Sequence, residues 1–324
     1  MNKNLLVSVS HTDLDGFASQ AILVSSDFAK KYEGSIIKHN INYDELDAFV
    51  IQLTEDAKQW SDKKVDIIFT DLSITEAQGD LIFKLSELEH VSAKVYDHHI
   101  TTKVAAEKYP ELIHLDTTKS ATGIVVSEFG LNSSLNNEIV NSINAADIFI
   151  KEPAKWFRMG RQLVANFNQY ASNHSDLSEV REYVVEMLSG DAPEEIGGLY
   201  PWEHQVVEDA KKLAVSDSYI VRDNILLFKD VQVSISDLAD GLFFKPAVKD
   251  SFWNNAINIS RRDIAIVAFI NEAKGIIEFR SSELDISGLA KKLGGGGHPK
   301  ACGCPKGDFQ LGTLGDEIQS FINR

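Results

Sequence analysis

The chain has 324 residues, 44% of them apolar, which at this length predicts two domains, each with its own core. Its net charge of −16 argues against a protein that coats long nucleic acid, because such binding relies on an excess of basic residues. A short anionic substrate held by local cations, or by metals in an otherwise acidic protein, is compatible with this charge.

Signals for a membrane or for secretion are missing from the sequence pattern. No run of about 18 apolar residues is present, and the first residues lack the apolar segment and cleavage site of a signal peptide. The two cysteines, Cys302 and Cys304, are separated by one residue and give no disulfide framework. We therefore expect a cytoplasmic protein with no membrane partner.

The first part of the chain alternates short apolar strands with helical patterns. Strands are predicted at 5–10, 35–39, 65–70 and 92–96. Helices are predicted at 16–32, 44–53, 75–88, 120–130 and 135–147, the fourth of them between Ser120 and Gly130. Alternation of this kind predicts an α/β domain over 1–150 with a Rossmann-like, mostly parallel sheet.

The pattern of predicted secondary structure changes twice in the rest of the chain, near residues 151 and 216. Residues 151–215 are amphipathic, helical and poor in strand signals, which predicts a helical connector. From 216 to 324 strand signals return, at 219–222, 224–228, 232–236, 256–260, 264–270 and 275–281, with helices predicted at 285–293 and 314–323. The last two strands are joined by 271–274, which is typical of a hairpin. This range is predicted to be a second, smaller α/β domain.

Polar side chains follow three of the predicted strands at the point where each strand ends. The first strand is followed by His11, Asp13 and Asp15, and the third by Asp71. The fourth is followed by Asp97, His98 and His99, and a further acid, Asp147, ends a predicted helix. Because ligands of an open parallel sheet gather beyond the carboxyl ends of its strands, these groups should meet at one edge. Clustered carboxylates need a common cation, and carboxylate with imidazole suits Mn²⁺, or Mg²⁺ and Co²⁺.

Together these motifs resemble those of the DHH phosphoesterase superfamily, which includes RecJ-type exonucleases, family II pyrophosphatases and small DHH/DHHA1 oligoribonucleases. The order and spacing of His-Thr-Asp-Leu-Asp, Asp71, Asp-His-His and Asp147 match along the sequence. The His-x-Asp-x-Asp spacing is that of RecJ-like members and argues mildly against a pyrophosphatase. The resemblance implies a catalytic, metal-binding DHH domain and two divalent metal ions, with Mn²⁺ favoured.

The resemblance also implies individual roles. One metal would be held by His11, Asp13 and Asp71, and the other by Asp15, Asp71, His98 and Asp147, with Asp71 bridging the two. His99 would contact a substrate phosphate or the leaving oxygen, and Asp97 would orient a histidine. Two such metals can activate water for in-line attack on a phosphodiester.

A second dense stretch, at 278–303, joins a strand end to a run of four glycines. Exposed N–H groups of such a run could hold a phosphate, and Arg280 could bind the same anion with two hydrogen bonds. The stretch resembles the DHHA1 domain, which implies that it binds the substrate's base and terminal phosphate. The substrate-binding residues expected from it are Arg280, Ser281, Gly296, Gly297 and His298.

The function expected from these features is hydrolysis of very short RNA, such as the dinucleotide pGpG, to mononucleotides. A short oligonucleotide is then the partner, and long nucleic acid is not a stable one. The alternatives within the resemblance are a cyclic-dinucleotide phosphodiesterase and a 3′-phosphoadenosine-5′-phosphate phosphatase. A non-enzymatic nucleotide-binding module is less favoured because each motif acid is present, and the resemblance also allows a homodimer.

Overall fold

The computed structural model describes residues 4–32, 34–196, 198–231, 233–257 and 259–323. The chain divides into two compact units, Met1–Tyr200 (the first unit) and Pro201–Arg324 (the second unit). The helices predicted as a connector fall on both sides of this division. The functional assignment of 1–150, 151–215 and 216–324 to three separate parts stays a prediction.

The first unit is built on a five-stranded sheet with the order β2-β1-β3-β4-β5. Its strands are β1 (Asn4–Ser10), β2 (Ile36–Asn40), β3 (Lys64–Thr70), β4 (Val91–Asp97) and β5 (Ile113–Leu115). Every neighbouring pair is parallel, and the register places Ser10 beside Thr70 and Thr70 beside Tyr96. The predicted α/β architecture is confirmed, and β1, β3 and β4 end level with one another at one sheet edge.

Helices connect these strands and complete the first unit. They are α1 (Leu14–Ser25), α2 (Leu46–Gln59), α3 (Glu76–Ser86), α4 (Lys103–Lys108), α5 (Ala121–Phe129), α6 (Asn137–Asp147), α7 (Ala154–Ala171) and α8 (Leu177–Ser189). Ser120 begins α5 as predicted, since its hydroxyl accepts from the backbone N–H of Gly123.

The core of the first unit explains why its strands read as continuous apolar runs. Leu5, Val7 and Val9 of β1 pack with Leu46 of α2 and Ile82 of α3 on one face of the sheet. Intervening side chains of β1 are buried as well. A parallel sheet covered on both faces favours such runs over strict alternation.

The second unit is built on a six-stranded sheet with the order β10-β11-β9-β8-β7-β6. Its strands are β6 (Tyr219–Arg222), β7 (Ile225–Lys229), β8 (Ile266–Asn271), β9 (Ile276–Ser281), β10 (Gly296–His298) and β11 (Ala301–Pro305). Only the β7–β8 pair of these described strands is parallel, and β8 and β9 form the predicted hairpin. The helices are α9 (Pro201–Ala214), α10 (Ile235–Phe244), α11 (Pro246–Asn255), α12 (Ser287–Lys292) and α13 (Leu311–Ile322). Across the described part of both units, no helix has the length and hydropathy needed to cross a membrane.

Two strands predicted for the second unit were wrong. The range 232–236 leads into α10, where Leu238, Ala239 and Leu242 recur with helical spacing and are buried. The range 256–260 follows the end of α11 and is not a strand in its described residues, and Ile257 is largely exposed there. Alternating apolar residues over so few positions do not decide between strand and other structure. Gln232 and Asn258, one in each range, lie outside the described residues.

Candidate functional site

The carboxylates of Asp13 and Asp15 follow β1 but are held in two different ways. Asp13 is the N-cap of α1, and its Oδ1 accepts from the backbone N–H of Gly16 at 2.9 Å. Asp15 lies within the first turn, and its two oxygens accept from the backbone N–H groups of Ala121 and Thr122 at 2.7 and 3.0 Å. The first turn of α5 therefore fixes a buried carboxylate, as expected where unpaired N–H groups meet an anion.

Asp71 follows β3 directly and lies at the centre of the cluster. Its backbone φ is 59°, in the left-handed region that a non-glycine residue rarely adopts. The side chain is buried, with an exposed fraction of 1%. Oδ1 lies 3.2 Å from His98 Nε2, and Oδ2 lies 4.0 Å from His11 Nδ1. The two oxygens of Asp71 thus approach histidines from two different strand ends.

The ligands predicted for the first metal are brought together. His11 Nδ1 lies 2.9 Å from Asp13 Oδ2. His11, Asp13 and Asp71 each offer an atom within 4.8 Å of the other two.

The ligands predicted for the second metal are also brought together. His98 Nε2 lies 3.4 Å from Asp147 Oδ2 and 3.9 Å from Asp15 Oδ2, in addition to its contact with Asp71. Asp15, His98 and Asp147 offer atoms within 4.8 Å of one another. Asp147, the last residue of α6, therefore reaches the edge at which the strands end.

Without a cation, burial raises the pKa of three carboxylates of the cluster, which disfavours their ordinary charged state. Burial and the charge of Asp13 raise the pKa of Asp71 well above its usual range. Burial and the charge of Asp15 raise the pKa of Asp147 to about 9, and burial raises that of Asp15. Burial also lowers the pKa of His98, which favours the neutral imidazole that binds metals.

These residues fit divalent metal ions. Among the described residues, the buried Oδ2 atoms of Asp71 and Asp147 have no hydrogen-bond partner. An unpaired buried carboxylate oxygen is costly, and a cation removes that cost. Oxygen and imidazole donors suit Mn²⁺ and Mg²⁺ better than a structural zinc site, which favours thiolates.

His99 is held separately, by a carboxylate with no exposed surface. Its Nδ1 lies 2.7 Å from Asp97 Oδ1, and the hydroxyl of Thr102 donates to Asp97 Oδ2. Burial opposes protonation of His99, but the hydrogen bond and the charge of Asp97 raise its pKa. Asp97, His98, His99 and Asp71 also have atoms close enough to share an ion. Since both oxygens of Asp97 already accept hydrogen bonds, we assign Asp97 to orienting His99.

Tyr43, in the turn after β2, contacts two of these histidines and was not expected from the sequence. Its ring stacks on that of His11 with centroids 4.1 Å apart and planes at 19°. Its hydroxyl lies 3.2 Å from His99 Nε2. Burial and the charge of Asp71 raise the pKa of Tyr43, so the phenol stays protonated.

In the second unit, Arg280 is at the end of β9, as predicted, and its guanidinium is partly exposed. Nη2 lies 3.2 Å from Ser236 Oγ and 3.4 Å from Glu278 Oε1, and Nη1 donates to Phe279 O at 2.9 Å. Ser236 is in the first turn of α10, where the sequence predicted a strand. The sequence therefore did not identify Ser236 as a partner of Arg280.

The other residues predicted to bind substrate differ in their burial and in the contacts that they already make. Ser281 is buried, and its hydroxyl donates to Leu284 O. Gly296 and Gly297 belong to β10, paired with Gly303 and Cys302 of β11, so the glycine run enters a hairpin. A Cβ at Gly297, whose φ is 132°, would lie 2.7 Å from Cys302 Cα, whereas a Cβ at Gly296 would meet nothing within 4 Å. The side chain of His298 lies outside the described part of the chain.

Several solved structures align with nearly the whole of this chain. An uncharacterised protein from Helicobacter pylori G27 is 20% identical, with a TM-score of 0.48 and coverage of 99% of this chain and 100% of that chain. The pGpG-specific phosphodiesterase PggH from Vibrio cholerae is 14% identical, with a TM-score of 0.50 and coverage of 98% and 99%. An exopolyphosphatase-related protein from Bacteroides fragilis is 15% identical, with a TM-score of 0.42 and coverage of 99% and 91%.

No protein-family model matches the sequence, and no curated protein matches it significantly. The likeness to the Vibrio cholerae enzyme extends over both units of the chain. Together with the parallel sheet, it bears out the α/β fold expected from the sequence. The chain therefore shares the two-unit α/β fold of this phosphodiesterase.

Proposed function

We propose that the protein is a metal-dependent phosphodiesterase that hydrolyses very short RNA, such as pGpG, to mononucleotides. The observation that carries this proposal is the position of Asp71. Each of its oxygens approaches the histidine of a different ligand group, at 3.2 Å for His98 and 4.0 Å for His11. A buried carboxylate between two sets of metal ligands is the arrangement that a two-metal hydrolytic site needs.

The chain's own residues would fix the site before substrate arrives. His11, Asp13 and Asp71 would hold one ion, and Asp15, Asp71, His98 and Asp147 the other. The metals, when bound, would supply Lewis acidity for activating water and for stabilising charge on the phosphate oxygens. The backbone N–H groups of Ala121 and Thr122 keep the Asp15 carboxylate oriented during this work. Preorganisation of this kind avoids reorganisation during the reaction.

His99 would act on the substrate. Its Nδ1 is engaged by Asp97, and Nε2, which lies 3.2 Å from the Tyr43 hydroxyl, is the nitrogen that would hydrogen-bond a phosphate oxygen or donate a proton to the leaving oxygen. The charge of Asp97 favours the protonated ring, the form that can donate. Asp97 would thus act through His99.

Three observations support the proposed preference for short RNA. The net charge of −16 disfavours long polyanions. The partly exposed guanidinium of Arg280 could bind one terminal phosphate in the second unit. A protein that shares the fold is a pGpG-specific phosphodiesterase. Gly296, Gly297, Ser281 and His298 remain proposed contacts of the same substrate.

The test is a substrate panel with product analysis in the presence of Mn²⁺ or Mg²⁺. It compares 5′-phosphorylated RNAs of about two to ten nucleotides with cyclic dinucleotides, 3′-phosphoadenosine-5′-phosphate and pyrophosphate. We expect the highest kcat/KM on dinucleotides, with mononucleotides as products, and no turnover by Asp71→Asn. Equal rates on dimers and ten-residue RNAs would overturn the short-substrate preference. Hydrolysis of only the cyclic or mononucleotide substrates would move the assignment to one of those activities.

A further inference from the structure

Tyr43 is the one residue of the described turn Tyr43–Glu45 that contacts both a proposed metal ligand and the proposed substrate-contacting histidine. Its ring stacks on His11, and its hydroxyl lies 3.2 Å from His99 Nε2. The ring of His99 also meets that of Tyr43 edge-on, with centroids 5.8 Å apart. One side chain therefore touches two strand ends that are separate in the sheet order.

We propose that Tyr43 is a positioning residue with two separable effects. Its ring fixes the orientation of the His11 imidazole for metal binding, and its hydroxyl fixes the rotation of the His99 ring. The proposal rests on the proposed function for its kinetic part, whereas its metal-binding part can be tested without any substrate.

The first effect follows from stacking. Nearly parallel rings at this separation restrict rotation of the His11 imidazole about its χ2 angle, and they exclude water from one of its faces. His11 is partly buried, whereas Tyr43 is 38% exposed, so Tyr43 covers His11 from the solvent side. A metal-ligating histidine with a fixed ring binds its ion more tightly because less orientational freedom is lost on binding.

The second effect follows from the hydrogen bonds at the two nitrogens of His99. With Nδ1–H directed to Asp97 Oδ1, Nε2 accepts from the phenol O–H when the ring is neutral and donates to the phenol oxygen when the ring is protonated. Both ring nitrogens are then occupied, and the plane of the ring is defined.

Two substitutions separate these effects. Tyr43→Phe keeps the stacked ring and removes the hydroxyl, whereas Tyr43→Leu removes both. Phe83→Leu is the matched control, since Phe83 is an exposed aromatic of the same unit that stacks on Tyr109 at 4.9 Å. Mn²⁺ affinity is measured by calorimetry, kcat and KM on pGpG by product formation, and folding by thermal unfolding of the metal-free proteins.

We expect Tyr43→Phe to bind Mn²⁺ within about twofold of the unchanged protein and to lose about fivefold to tenfold in kcat, the effect of one hydrogen bond. We expect Tyr43→Leu to lose about tenfold or more in Mn²⁺ affinity as well, with Phe83→Leu unchanged in both. Equal Mn²⁺ affinity in Tyr43→Leu and the unchanged protein would overturn the stacking role. An unaltered kcat in Tyr43→Phe would overturn the hydroxyl role. If the unchanged protein hydrolyses no phosphodiester, the proposed function fails, while the Mn²⁺ comparison still decides the stacking role.

Discussion

The carboxylate of Asp71 and the imidazole of His98 meet at 3.2 Å, although they come from the ends of two different strands, β3 and β4. The contact is made possible by the sheet register, which places Thr70 beside Tyr96 at the carboxyl edge. Asp71 and His98, which directly follow β3 and β4, then extend into the same space. This relationship makes Asp71 the residue whose replacement gives the clearest result.

Asp71→Asn should abolish hydrolysis and, at the same time, stabilise the metal-free protein. Asparagine tolerates a φ of 59° about as well as aspartate, so backbone strain is not altered. The loss in kcat/KM should exceed the roughly 10–100-fold that follows loss of an outer partner of a ligand. The metal-free Tm should rise at alkaline pH, because a buried carboxylate next to other acids is removed.

Asp80→Asn is the control for this prediction. Asp80 is an exposed acid of α3 that pairs with Lys108 of α4, and neither residue is a proposed metal ligand. It should leave both activity and Mn²⁺ binding unchanged. A variant Asp71→Asn that still binds two Mn²⁺ ions per chain with normal affinity would contradict the bridging role.

The pH dependence of stability gives a prediction that requires no substrate. Burial raises the pKa of Asp147 to about 9 in the folded, metal-free protein, and it raises those of Asp15 and Asp71. The folded state therefore binds more protons than the unfolded state above the ordinary aspartate pKa, and stability falls as pH rises towards the folded value. We expect the Tm of chelator-treated protein to fall between about pH 5 and pH 9.

The variant Asp147→Asn tests the origin of this slope. The amide does not ionise, so its Tm should fall less steeply over the same range. Added Mn²⁺ should raise the Tm of the unchanged protein more at high pH than at low pH, because metal binding displaces protons from the ligands. Parallel curves for the two chelator-treated proteins would show that Asp147 does not titrate as described.

Asp97→Asn should slow hydrolysis while leaving metal binding intact. The carboxylate accepts from His99 and Thr102, so its loss removes the charge that favours the protonated His99 ring. We expect kcat to fall roughly 10–100-fold and two Mn²⁺ ions per chain to be retained, as measured by metal analysis of the dialysed protein. Loss of an ion together with activity would instead make Asp97 a ligand. Thr102→Val, which removes a donor to Asp97 and the acceptor for the Ile74 N–H but keeps the Asp97 charge, should have a smaller effect on kcat.

The sequence predicted the cluster of acids and histidines at one sheet edge because two local rules agree there. Apolar runs mark the buried strands, and polar residues directly after them must lie at the carboxyl edge of a parallel sheet. Asp71 and His98 follow from these rules alone. The contact of Asp15 with the first turn of α5 could not be predicted in this way, because Ala121 is more than a hundred positions away and only packing brings it close.

The second unit was less predictable because its sheet is mostly antiparallel and its signals are short. Arg280 was identified, but its partner Ser236 was not, since 232–236 was expected to be a strand. The glycine run was expected to offer exposed N–H groups to a phosphate, and its pairing in β10 with β11 was not predicted. Glycine carries no side chain from which a strand's alternation can be recognised.

Gly296 and Gly297 are adjacent, yet replacing each with alanine should have opposite consequences. A Cβ at Gly297 would collide with the backbone of Cys302 at 2.7 Å, and its φ of 132° is strained for any other residue. Gly297→Ala should therefore lower the Tm of the whole protein. A Cβ at Gly296 would meet nothing within 4 Å, so Gly296→Ala should keep the Tm unchanged.

If the backbone at Gly296 approaches the substrate, the added methyl group should raise KM for pGpG several-fold without altering Mn²⁺ affinity, because the metal ligands lie in the other unit. Arg280→Gln should likewise raise KM, by about tenfold for one charge-assisted contact with a phosphate. Steady-state kinetics with calorimetric Mn²⁺ titration of the same preparations separates the two quantities. A Gly296→Ala enzyme with unchanged KM and unchanged Tm would remove the glycine run from the substrate site and leave Arg280 as its remaining tested contact.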